Sequence, residues 1–309
     1  MARAFDVIGF GALAVDDIVY VDRPLSAGKG KVTKRVRDHG GNVATALVAV
    51  ARLGGRAAFV GWLGEPAQDI GGRELEREGV DTACAPRHAD AAPIRSIITV
   101  GPDGDRFIAY DDDVLHGTAP DLPDVVFSKT PVLLIDGYAI HSEAAVVRAH
   151  ALGLSIVADI EWTAGSASDR ILSLADHLVL PIAFARSHLE QDDPRALLEA
   201  LWSPDRAAVV LTDGDRGSYV RQRGDPVSWH LPAYMVRAVD TTGAGDCFHG
   251  AYALALAEGG RPLDCAAFAA AAAAISVTAH GGRLGLPDRA ACLSWMAGAH
   301  APVPVPLRS

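Results

Sequence analysis

The chain has 309 residues, half of them apolar, with 28 basic side chains against 38 acidic ones and a net charge of −10. That balance supports a large buried core. It excludes a general nucleic-acid binder or an anionic-membrane binder, both of which need a basic footprint.

The opening residues, MARAFDVIGF, lack the basic start, long apolar run and cleavage site of a signal peptide. The four cysteines (Cys84, Cys247, Cys265, Cys292) form no C-x-x-C pair. A reduced, cytoplasmic setting without zinc is therefore expected. Gly9-Phe10-Gly11-Ala12-Leu13-Ala14 fits the G-x-G-x-x-A spelling of a dinucleotide site, which requires a helix directly afterwards. Residues 15–21 (VDDIVYV) are β-branched and acidic, and predict a continuing strand instead. Residues 16–38 and 94–111 alternate in a β-like way without an immediate helix. Lys29, Lys31, Thr33, Arg35 and Arg37 fall on one face of a period-2 strand. Two readings fit them: an edge strand kept soluble by charge, or a small sheet over a site, with a lysine reaching an anionic group.

Beyond about residue 125 short β-rich runs alternate with Ala/Leu/Arg-rich ones. Strands are predicted at residues 132–136, 155–159, 177–180 and 208–212, and helices at 144–152, 170–175 and 195–202. This rhythm predicts a parallel sheet with helices on both faces. Ligands collect beyond the carboxyl ends of such strands, where Asp136, Asp159 and Thr212 stand. The alanine-rich run 266–279 is too short for a membrane span and predicts a buried helix.

The most informative stretch is D-T-T-G-A-G-D-C-F-H-G, residues 240–250. An apolar, β-prone segment (235–239) precedes it and a helical segment (246–258) follows. Strand, glycine turn and helix start make an anion site, because amides point outward and the helix dipole adds positive potential. Gly243 and Gly245 let the backbone approach a phosphate. The amides near Ala244, Gly245 and Asp246 can stabilise charge on a transferring phosphoryl group. Asp246 reads either as an N-cap or as a base beside the anion hole. A Walker A pattern is absent.

This motif closely resembles the C-terminal signature of the PfkB/ribokinase family of carbohydrate kinases. The resemblance implies an α/β fold: a ribokinase-like, Rossmann-like, mainly parallel sheet flanked by helices, with a small β-sheet lid from about residues 12–38 and 94–113. It implies Asp246 as catalytic base and Gly243, Ala244 and Gly245 as the anion hole. A second family mark runs from Gly40 to Gly54, in which Gly40, Gly41 and Asn42 match residues that contact the acceptor. Thr45 stands where members often have another Asn. Asp16 matches the acid that binds sugar hydroxyls. Thr212, Gly214 and Gly217 match a turn on the nucleotide, and His280 and Gly282 lie in its C-terminal loop. ATP and Mg²⁺ are implied, with a monovalent cation such as K⁺ near Asp240 and Thr242, and a homodimer through the lid. Two further departures are the missing N-x-x-E near residues 179–186 and Gly64-Glu65-Pro66 in place of G-D-D. Tyr138 stands where an anionic sulfosugar would call for Arg, which favours a neutral sugar. Phe107, Tyr110 and Tyr138 could instead line a nucleoside's base. A non-catalytic sugar- or nucleotide-binding protein on the same fold is the further alternative.

Overall fold

A computed structural model describes residues 4–103 and 105–307. Strand β1 (Val7–Phe10) passes directly into β2 (Ala14–Val21) and β3 (Val32–Gly40), before helix α1 (Asn42–Arg52) and β4 (Ala57–Phe59). Helix α2 (Ile70–Arg77) precedes β5 (Ile94–Val100) and β6 (Arg106–Asp111). The alternating part follows: α3 (Asp124–Phe127), β7 (Val132–Asp136), α4 (Glu143–Ala151), β8 (Ser155–Asp159), α5 (Ser166–Leu174), β9 (His177–Pro181), α6 (Ile182–Leu189), α7 (Pro194–Ala200) and β10 (Ala208–Thr212). The chain closes with β11 (Ser218–Gln222), β12 (Trp229–Leu231), α8 (Ala244–Ala257), α9 (Pro262–Ser276), α10 (Arg289–Met296) and β13 (Val305–Pro306).

Among the described residues the main sheet has the order β13-β12-β11-β10-β9-β8-β7-β1-β4. Strands β4 to β10 run parallel and the last three antiparallel. Its parallel strands are apolar on both faces because helices cover both. Val132 and Leu134 of β7 join one core with α1, α8 and α9, while Leu133 and Ile135 join the other with α3 to α7. The same alternation repeats in β8, β9 and β10, as the period of a strand demands. Small residues let α8 approach α1: a Cβ on Gly250 would run into the Ala46 carbonyl.

A second, four-stranded sheet has the order β3-β2-β5-β6. The β3–β2 and β5–β6 pairs are antiparallel, and β2–β5 is parallel. Pairing in register puts Arg35, Arg37, Asp17, Ile97 and Phe107 on one face, and Asp16, Asp38, Ser96 and Tyr110 on the other. Arg37 pairs with Asp17 at 2.9 Å on the first face. The arginines of β3 therefore turn away from the Asp16 side, and the reading as a charged edge strand is the correct one for them.

The glycines of the dinucleotide-like spelling have other work. A Cβ on Gly9 would strike Val43 and Leu134, and one on Gly11 would strike the Asp136 carboxylate. A strand follows them, not a helix, so that reading is excluded. Residues 235–239 are also corrected. They form no strand, and Val239 N–H bonds instead to the Val277 carbonyl at 2.7 Å.

Candidate active site

Helix α8 starts two residues earlier than its sequence suggests. Its N-cap is Gly243, at φ +72°, and Asp246 is its third residue. Asp246 therefore does not cap the helix. The turn is tight: Ala244 N–H returns to the Thr241 carbonyl at 3.3 Å, and Cys247 N–H begins the helical ladder on Gly243 at 2.8 Å. Gly245 is exposed, with open space where a Cβ would stand, so an anion can come close to the first-turn amides. Gly243 cannot carry a side chain, because a Cβ would lie 2.6 Å from the Gly282 carbonyl. Gly282 thus belongs to the same turn from the opposite side. Asp240 closes it, accepting the Thr242 amide at 2.9 Å and the Gly281 amide at 3.0 Å.

The carboxyl ends of β7 and β8 bring two buried acids beside this turn. Asp136 accepts the Ala12 amide at 2.6 Å and the Tyr138 amide at 3.0 Å. Burial pushes it up to about 6 all the same. Asp159 accepts Asn42 Nδ2 at 3.2 Å and lies 3.4 Å from His249 Nε2. Burial raises the Asp246 carboxyl well above the ordinary carboxylate range, and the charge of Asp159 adds to it; His249 and Arg283 pull the other way. Asp159 is itself raised by burial and then by Glu161.

Asn42 opens α1 after Gly41, which at φ +92° packs on the Ala12–Leu13 backbone. Asn42, Asp136 and Asp159 line one end of a cavity of about 780 Å³. Tyr110 of the small sheet and Glu161 and Trp162 of the core lie along its walls. Tyr138 and His116 stack there at 4.0 Å between ring centres. Among its lining residues there is no lysine or arginine. Asp16 sits at the joint of the two sheets, where its carboxylate accepts the Ser96 hydroxyl and approaches Gly40. Burial raises it, and nearby Asp38 adds to the rise.

Thr45 does not line this cavity. It is 1% exposed, and its hydroxyl takes Arg283 Nε at 3.3 Å. Arg283, which is not among the site residues expected from the sequence, is 4% exposed and also holds the Gly40 carbonyl at 3.0 Å. Its Nη1 has no hydrogen-bond partner among the described residues. Thr212 ends β10, two strands away from Asp159 in the sheet order. Gly214 and Gly217 (φ +56° and +97°) carry the turn after it, and a Cβ on Gly217 would strike the Leu231 carbonyl. Asp213 fixes this turn through Arg216 at 2.6 Å. His280 is exposed.

The profile of the family described as "pfkB family carbohydrate kinase" matches residues 5–289. Fructokinase-1 of rice is 29% identical, over 95% of this chain and 98% of its own length. The ribokinase of Haemophilus influenzae is 27% identical, over 84% and 87%. Among solved structures, the ribokinase of Giardia lamblia has a TM-score of 0.81 at 25% identity, covering 94% of this chain and 99% of its own. The Arabidopsis thaliana ribokinase complexed with ribose and ATP has a TM-score of 0.82 at 20% identity, over 97% and 100%, which shows a shared fold.

Proposed function

Because the chain belongs to the pfkB family of carbohydrate kinases, we propose that it transfers the γ-phosphoryl group of ATP to a hydroxyl of a small neutral carbohydrate. The observation that carries this reading is the juxtaposition at the start of α8. A raised carboxyl, Asp246, stands in the same turn as amides that can face a phosphoryl group. Asp16, Gly40, Gly41 and Asn42 hold the acceptor. Asp246 takes its hydroxyl proton as the oxygen forms a bond to the γ-phosphorus and the bond to the β–γ bridging oxygen breaks, releasing ADP. The turn of Thr212, Gly214 and Gly217 and the loop of His280 and Gly282 serve the nucleotide.

Among the described residues no group of three or more His, Cys, Asp or Glu side chains could hold a metal ion. Mg²⁺ belongs to this reading as part of the Mg–ATP substrate. A potassium ion beside Asp240 and Thr242 belongs to the same reading, and replacing K⁺ by Na⁺ in the assay tests it.

The cavity's lining, which among the described residues includes no lysine or arginine, supports a neutral acceptor over a phosphorylated or sulfonated one. One observation favours a second reading. The stacked Tyr138 and His116, with Trp162 edge-on to Tyr138 at 5.6 Å, suit the base of a nucleoside. A coupled ADP-release assay against sugars and nucleosides decides between them. Turnover on one class that vanishes in Asp246→Asn supports the kinase and names its acceptor. ATP binding with no turnover on any acceptor would instead support a non-catalytic binding protein.

A further inference from the structure

His249 lies one helical turn after Gly245 and is 2% exposed. Its Nδ1 is 2.7 Å from the Gly245 carbonyl and its Nε2 is 2.7 Å from the Val179 carbonyl of β9. A backbone carbonyl only accepts hydrogen bonds, and a neutral imidazole has a single N–H. In the neutral ring, one bare nitrogen would face a carbonyl oxygen at 2.7 Å, lone pair against lone pair and too close for a water between them. With both nitrogens protonated, both contacts are hydrogen bonds. The charge then has a neighbour: Asp159 Oδ1, 3.4 Å from Nε2, buried and, among the described residues, without a hydrogen-bond partner.

We propose that His249 is a buried imidazolium that positions the anion hole, a role that rests on the kinase reading above. The Gly245 carbonyl and the Asp246 N–H are two ends of one peptide group. A cationic donor on the carbonyl fixes the plane of that peptide and polarises it, which makes the N–H a stronger donor to a phosphoryl oxygen. The groups facing His249 are Val179 from β9, Asp159 from β8 and, on its own helix, Asp246. Asn42 from α1, Asp136 from β7 and Glu161 face Asp159 in turn. Beyond His249, the buried cation that acts on Asp246 is Arg283. The imidazolium thus supplies charge where three strands and a helix converge on carboxylates.

The test is the nitrogen spectrum of the full-length protein with ¹⁵N-labelled histidine at neutral pH, with the His249 ring assigned through bonds from its backbone. Two protonated ring nitrogens are expected, unchanged on addition of Mg–ADP. One bare nitrogen overturns the inference and leaves the kinase reading standing. His249→Gln, whose two N–H groups share one nitrogen and so cannot span the two carbonyls that Nδ1 and Nε2 reach, is expected to lower kcat at least tenfold, with the Kd for ATP and for the acceptor within about twofold. A folded variant with unchanged kcat overturns the positioning role. If the variant does not fold, the wild-type spectrum still decides. A charged ring in a chain that turns over no acceptor overturns the kinase reading alone.

Discussion

At the scale of single residues, Asp246 is set apart by its surroundings. Burial and the neighbouring Asp159 raise it, and a carboxylate held above its ordinary range is a stronger base once ionised. The protonated form cannot accept a hydroxyl proton. kcat/KM is therefore expected to fall as pH drops through the pKa of Asp246, and that acid limb should lie above the ordinary carboxylate range. An acid limb at an unperturbed carboxylate value would refute this. Asp246→Asn should lower kcat by about 10²–10⁴ while leaving the ATP Kd within about twofold, as measured by calorimetry. Gly243→Ala should fail for a different reason. It adds a side chain at φ +72° and a carbon 2.6 Å from the Gly282 carbonyl, so the turn must open. A loss of at least tenfold in kcat/KM is expected, and a variant at wild-type rate would show that the turn is not strained.

At the scale of elements, the parallel sheet was legible because its strands are doubly buried and read as unbroken apolar runs. Val132–Asp136 and Ala208–Thr212 keep their sequence-derived limits. Residues 235–239 have a strand's composition, yet they pair into no strand, and the Val239 amide goes to the Val277 carbonyl instead. Sequence composition reports burial there, not pairing. The glycine turn was legible because few residue types fit it. Arg283 was not, because its three elements — the end of β3, α1 and the C-terminal loop — meet only in space. Removing it strands the Gly40 carbonyl and the Thr45 hydroxyl. Arg283→Met is expected to cost about 1–3 kcal/mol in urea unfolding, against a near-neutral change for the exposed Arg35. Gly250→Val presses α8 off Ala46 and should cost a comparable amount through overpacking.

At the scale of the whole molecule, the outer face of the small sheet leaves Ile97 58% and Phe107 65% exposed. We propose that a second copy of this chain covers them, as the sequence resemblance implies. Light scattering after size exclusion should give twice the chain mass. Phe107→Lys should halve it, and a monomer in the wild type would refute the pairing. The same sheet is joined to the core on one side only. Ala14 is in register with both Gly40 and Ile94, and Arg95 with Asp111, so the chain crosses between the two sheets along a single short line. We propose that such a body moves as a flap. Swinging about that line asks for dihedral changes at a few positions, Gly41 among them, whereas sliding sideways would tear every crossing at once.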